Sequence, residues 1–254
     1  MDKNSNINNV QLVILAAGKG TRMRSNDPKA LTLLHGKPFL QHILDNITPL
    51  NLTLKPVIVI GHEKEKVKKM LGEKYTYAEQ NEQLGTGHAL MCAKPAMDKN
   101  HEIILVLFTD QPAVSKETLK ELIAKHSQMK GVITMATITV PDYKDWRFGM
   151  NHYGRIIRDA NGEIKKIVEY KDADEEEKKV KEINPSIYAF DAKWLWKNIN
   201  ELKKNNMKNE YYLSDMIEIA QIQKEKIETI VVTNLIEGIQ PNSKEELEML
   251  EKLT

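Results

Sequence analysis

The sequence LAAGKGTRMRSNDPK, residues 15–29, takes over from the near-continuous apolar run VQLVILAA at 10–17. Such a run reads as a buried parallel strand. Gly18 and Gly20 then open a loop, and Lys19, Arg22, Arg24 and Lys29 bring four cations into eleven residues, opposed only by Asp27. Glycine has no Cβ, so the backbone N–H groups of this loop can approach an anion closely. The two glycines stand too close together for GxxxxGK[ST], and no third glycine follows to complete GxGxxG. What remains is a strand-end turn with a planar fork at Arg22 and a point charge at Lys29, both suited to phosphate oxygens. Pro28 stiffens the approach to Lys29.

Outward from this loop, the first 140 residues alternate strand and helix. Further buried strands are expected at PVIVIG (56–61), TYAE (76–79), EIILVLF (102–108) and VITMATITV (132–140). Helices are expected from Pro38 to Ile47, over EKEKVKKML, at 87–96, and from an N-cap at Ser115 to about Ser127. That alternation predicts a doubly wound α/β sheet, with ligands outside the carboxyl ends of its strands. The loops at 18–29, 80–87 and 109–113 should therefore share one edge. The second half reads as a hairpin at 155–169, a charged segment at 172–182, a strand at 183–190, helices at 191–204 and 212–223, a strand at 227–233 and a C-terminal helix from Ser243. The organisation expected is a flexible 1–9, a domain at 10–245 with a nucleotide-binding part (10–140) and a sugar-binding part (141–233), and a terminal helix at 243–254.

The net charge of +1 argues against nucleic-acid binding through bulk electrostatics. The single cysteine, Cys92, excludes an intrachain disulfide and any cysteine-based metal pattern. The polar N-terminus MDKNSNINN does not read as a signal peptide, and the apolar runs are too short to span a membrane. A cytoplasmic protein without nucleic-acid or membrane partners is expected. A monomer is the default.

LAAGKGTRM followed by PK resembles the signature of the sugar-1-phosphate nucleotidyltransferases. QNEQLGTGHAL (80–90), IVEYKDA (167–173), EIN (182–184) and NEYYLSD (209–215) are similar, in the same order, to the uridyltransferase domain of the bifunctional enzymes that make UDP-N-acetylglucosamine. The resemblance covers about residues 10–245. It implies a Rossmann-like doubly wound mixed sheet of the nucleotide-diphospho-sugar transferase type, with an inserted β-rich sugar-binding lobe. It also implies UTP and N-acetylglucosamine-1-phosphate as substrates, Mg²⁺ as cofactor, and UDP-N-acetylglucosamine and pyrophosphate as products. The hexapeptide-repeat acetyltransferase domain of those enzymes is not expected here.

By that resemblance, Leu15, Ala16, Ala17, Gly18, Lys19, Gly20 and Arg22 hold the triphosphate, and Lys29 neutralises charge near the α-phosphate. Gln80, Gly85 and Thr86 read the uracil, and a side-chain amide can both donate and accept there. Phe108 and Thr109 line the site. Asp110 binds Mg²⁺, Gly154, Glu169 and Asn184 contact the sugar, and Lys171 helps hold its phosphate. Arg22, Lys29 and Asp110 are the expected catalytic residues.

The chain departs from the family at several points. Thr109 stands where glycine is usual, Ser186 follows Asn184-Pro185 where N-x-G is usual, and GIQPN puts Gln240 in place of the second metal ligand, with Asn242 nearby. The segment DWRFGMNHYGRI at 145–156 is also longer than usual. Two alternatives stay open at this point. One is the same reaction with another sugar-1-phosphate or nucleotide. The other is a UDP-sugar-binding regulatory protein impaired by Gln240.

Overall fold

The structure, a computed structural model, describes residues 9–20, 27–129 and 131–254. Strand β1, Val10–Leu15, is buried at every residue. A two-residue hairpin, β2 (Leu33–Leu34) and β3 (Lys37–Pro38), leads into α1, Phe39–Ile47. There follow β4 (Val57–Ile60), α2 (Lys64–Leu71), β5 (Thr76–Glu79), α3 (Thr86–Ala93), β6 (Ile103–Phe108), α4 (Lys116–Met129) and β7 (Ile133–Thr139). Strands β1, β4, β5, β6 and β7 each lie within a run that the sequence assigns to a strand, whereas the short β2 and β3 were not expected.

The order β5-β4-β1-β6 is parallel throughout. Leu15 pairs with Val59 on one side and Phe108 on the other, so β1, β4 and β6 end level. The Thr109 N–H donates to the Leu15 carbonyl at 3.1 Å, and the Ala16 N–H to the Val59 carbonyl at 2.8 Å. The glycine loop and Asp110 are thus side by side. Alternate residues of β1 enter two apolar layers. Leu12 and Ile14 pack with Leu40 and Ile43 of α1, and Val13 and Leu15 pack with Ala89 and Leu90 of α3.

The second half is threaded into the first. It comprises β8 (Arg155–Arg158), β9 (Ile164–Val168), β10 (Glu182–Ile183), β11 (Tyr188–Asp191), α5 (Ala192–Asn198), α6 (Met216–Ile222), β12 (Ile227–Val231) and α7 (Lys244–Leu253). β11 lies antiparallel between β6 and β7, and β12 runs parallel along β7's other edge. The hairpin β8–β9 joins through β10 to the far end of β7. Ten strands make one mixed sheet, the doubly wound arrangement expected.

Residues 183–190 correct one expectation, because they form two strands and not one. Pro185 has no N–H for a ladder, and Ser186 takes φ 61°. The Asn184 Oδ1 accepts from the Ser186 N–H at 2.9 Å and closes a turn between β10 and β11. The segment at 145–156 is a 3₁₀ helix over Asp145–His152. It packs on α7, where a side chain on Gly149 would meet Glu246 Oε1 at 3.1 Å.

Candidate active site

Gly20 takes φ +64°, and a Cβ there would lie 3.2 Å from the Lys29 backbone nitrogen. A residue other than glycine would be strained and crowded at this position. The close turn lets Lys29 fold back under the loop, where it is 9% exposed. Its Nζ donates to Asp110 Oδ2 at 2.7 Å and to Asn242 Oδ1 at 2.6 Å. Asp110 follows β6, and Asn242 immediately precedes α7. Asp110 Oδ1 is buried without a hydrogen-bond partner, as is Thr109 Oγ1. A buried carboxylate oxygen in that state is costly unless a cation meets it. Two oxygens already gathered on one ammonium are a donor set that suits a hard cation such as Mg²⁺.

Gln240 does not join them. Its Nε2 donates to the Pro185 carbonyl at 2.7 Å, an oxygen that also accepts from Gln111 Nε2. Its backbone N–H donates to Tyr153 Oη at 2.7 Å. The structure thus pairs Asp110 through Lys29 with Asn242, while the Gln240 amide nitrogen is engaged by the Pro185 turn. The longer side chain ties the 239–242 segment to the Pro185 turn, and Asn242, two residues on, turns to Lys29. The 145–152 helix helps hold that segment, with Tyr153 Oη donating to the Gly238 carbonyl at 2.8 Å. Asn242's own N–H donates to Glu246 Oε2 at 2.7 Å.

A cavity of about 200 Å³ opens beside Lys29 and Asp110. Leu15, Ala17 and Gly18 line it from the end of β1 and the loop after it, Phe108 and Thr109 from the end of β6 and just past it, and Gln80, Gly85 and Thr86 from the loop between β5 and α3 and the start of α3. Ala16 is buried behind it, and Lys19 is exposed. Arg22 and Arg24 lie outside the described residues. Gln80 is 4% exposed, and its Nε2 contacts the Gly85 carbonyl at 3.0 Å and His88 Nδ1 at 3.1 Å. The loop is clamped by the NEYYLSD segment. The Gly87 N–H donates to the Tyr211 carbonyl, the Tyr211 N–H to the Leu84 carbonyl, each at 2.8 Å, and the Leu213 N–H to Thr86 Oγ1 at 2.9 Å.

The same segment supplies the wall of a second cavity, of about 630 Å³, which includes Glu169, Asp172, Tyr212 and Asp215. Gly154 leaves room for Glu169, whose Oε1 would lie 3.3 Å from a Cβ there. Burial raises the Glu169 carboxyl above its usual range, and the hydroxyl of Ser214, donating at 3.3 Å, opposes that shift. Asp215 is pushed up to about 6, by burial first and then by the carboxylates of Glu169, Glu218 and Asp172. Two expected sugar contacts are placed differently. Lys171 is exposed and lines neither cavity. Asn184 is 3% exposed with its amide turned inward, donating to Tyr188 Oη at 2.5 Å while its oxygen closes the Ser186 turn.

Sequence reasoning missed His88 as the partner of Gln80, Ser214 as the partner of Glu169, and Gln111 as a clamp on Pro185. The signal for His88 was its place within QLGTGHALMC, two residues past Thr86. Ser214 lies within the NEYYLSD motif, and nothing local marks Gln111.

Known proteins resemble this chain. The chain is 41% identical over 232 residues to the bifunctional protein GlmU of Exiguobacterium sibiricum, covering 91% of this chain and 50% of that protein. It is 42% identical over 221 residues to the bifunctional protein GlmU of Clostridium botulinum, covering 87% of this chain and 47% of that protein. The chain thus spans about half the length of these relatives. Among solved structures, a UDP-glucose pyrophosphorylase complexed with UDP-glucose superposes with a TM-score of 0.74 at 18% identity, over 96% of this chain and 97% of that one. The 4-diphosphocytidyl-2C-methyl-D-erythritol synthase of Anaerococcus prevotii superposes at 0.67 and 16% identity, over 98% of this chain and 99% of that one. Both share the fold. Residues 12–206, most of the chain and nearly all of the sheet, match one family throughout, and the chain belongs to the MobA-like NTP transferase domain family.

Proposed function

We propose that the protein makes UDP-N-acetylglucosamine and pyrophosphate from UTP and N-acetylglucosamine-1-phosphate. The observation that carries this reading is the meeting of Lys29, Asp110 and Asn242 beside the glycine loop, with Lys29 and Asp110 lining the cavity that Gln80 also lines. A phosphoryl transfer of this kind asks the protein chiefly for positioning and charge neutralisation. The 18–20 turn receives the triphosphate, with Arg22 as a second cation. Lys29 moves its charge from Asp110 to the α-phosphate as the nucleotide enters. Gln80 and Gly85 hold the base. Glu169 orients the sugar by accepting from its hydroxyls, with its environment set by Gly154 and Ser214.

Asp110 and Asn242 would hold Mg²⁺, which when bound neutralises charge on the phosphate oxygens. Asp110 Oδ1, buried and unpartnered, supports that role. With an amide oxygen supplied by Asn242, Gln240 no longer argues for an impaired protein.

A second reading keeps the reaction and changes the sugar, because the inward-turned Asn184 amide offers less to an acetamido group. Pyrophosphate release measured with Mg²⁺ across a panel of nucleoside triphosphates and sugar-1-phosphates separates the two. UTP with N-acetylglucosamine-1-phosphate should win. A preference of at least about tenfold for another hexose phosphate would favour the second reading. No turnover with UTP and any N-acetylhexosamine-1-phosphate would sink the first.

A further inference from the structure

Gln80 is held by two acceptors, one at the N-cap of α3 and one on its first turn. The Gly85 carbonyl accepts from the Ala89 N–H at 3.1 Å, which aims it along the helix, and from Gln80 Nε2 at 3.0 Å. A carbonyl oxygen cannot face another carbonyl oxygen, so this contact fixes the nitrogen of the Gln80 amide inward. The second amide hydrogen meets His88 Nδ1 at 3.1 Å. An amide nitrogen has no lone pair to offer a ring N–H, so His88 Nδ1 must be the acceptor and the ring proton sits on Nε2. Nε2 faces Cys92 Sγ at 3.7 Å, one helical turn on. Burial raises the Cys92 thiol above its usual range, which keeps the sulfur neutral and able to accept.

We infer that His88 is a positioning residue that sets base preference by locking the Gln80 amide with its oxygen toward the cavity. Both amide hydrogens are spent on the protein, so Gln80 presents an acceptor only. An imide base edge, with an N–H between two carbonyls, donates to that oxygen. The corresponding ring nitrogen of cytosine carries a lone pair and is repelled. Discrimination between uracil and cytosine thus rests on His88 as well as on Gln80. The inference depends on the uridyltransferase reading above.

The test compares His88→Leu with His88→Asn, two side chains of similar shape, of which only Asn retains an acceptor near the Nδ1 position. In His88→Leu the ratio of kcat/KM for UTP to that for CTP should fall by about tenfold, through KM for UTP, with kcat at saturating UTP changed by less than about twofold. KM for the sugar phosphate should not move. His88→Asn should restore the ratio to within about threefold of the unaltered protein. An unchanged ratio in folded His88→Leu, or equal losses in both variants, overturns the inference. Nitrogen chemical shifts of the unaltered protein give a test that needs no variant, since His88 must carry its proton on Nε2, and an Nδ1–H tautomer overturns the lock. Absence of any UTP turnover would sink the uridyltransferase reading instead, and the tautomer measurement would still decide the hydrogen bond.

Discussion

Lys29 and Asp110, 81 residues apart in sequence, share an ion pair of 2.7 Å in which both side chains are mostly shielded from water. The pair joins the end of the glycine loop to the end of β6, and it holds a cation against a carboxylate at the mouth of the cavity. Lys29→Ala should lower turnover by about 10²–10³-fold while changing KM for the sugar phosphate little. Asp110→Ala should abolish measurable turnover and leave thermal unfolding cooperative. Steady-state kinetics and a melting curve check both, and near-normal activity in Asp110→Ala would remove that residue from the metal site.

Magnesium titration should separate the roles of Asn242 and Gln240. Asn242→Ala should raise the Mg²⁺ concentration for half-maximal activity by about tenfold or more. Gln240→Ala should leave it within about twofold, because Gln111 still donates to the Pro185 carbonyl. A larger shift for Gln240→Ala than for Asn242→Ala would reverse the assignment.

Gly85 takes φ +108°, and a Cβ there would lie 2.5 Å from the Tyr211 carbonyl. Both backbone strain and collision oppose any side chain, so Gly85→Ala should cost at least about 2 kcal/mol in urea unfolding. It should also raise KM for the nucleotide, since the Gly85 carbonyl holds Gln80.

Arg155 is fully buried, and burial lowers its affinity for a proton. Its guanidinium donates to the carbonyls of Tyr153, Asn151 and Lys178 and lies over the rings of Tyr143 and Tyr170. Arg155→Met fills much of the space but strands these acceptors, and should cost about 2–4 kcal/mol by chemical denaturation.

Asp215 gives a pH dependence whose sign follows from burial. Its carboxyl is raised to about 6 in the folded protein against an ordinary value of 3.8, so the native state binds the proton more tightly than the unfolded chain. Its contribution to stability is complete below the ordinary value and is lost as pH rises through about 6. Asp215→Asn should flatten the fall in melting temperature across that window and leave the variant relatively more stable at pH values above it. An identical pH profile for both proteins would contradict this.

The sheet and one side of the site were legible in the sequence for a simple reason. The runs at 10–17, 56–61 and 102–108 are apolar on both faces, and strands of that kind end together where ligands gather. Leu15, Gly18, Gln80, Thr86 and Asp110 accordingly meet at one cavity. What was not legible depends on long separations. Asn242 reaches Lys29 across 213 residues, and nothing local distinguishes it from Gln240. The break at Pro185–Ser186 needed the φ of Ser186. Within the expected hairpin at 155–169, nothing local marks Arg155 as the buried residue that loop carbonyls and aromatic rings surround.

The position of β11 bears on how the chain is made. The strands on either side of it are complete by residue 139, yet β11 itself, Tyr188–Asp191, is synthesised about fifty residues later. Until it arrives, β6 and β7 have no bridge between them, and each leaves an open edge of buried-type sequence. Unpaired strand edges of this kind invite association with other chains. The nascent polypeptide therefore passes through a vulnerable stage that ends only when the second half emerges, and a fragment stopped near residue 140 should aggregate rather than fold.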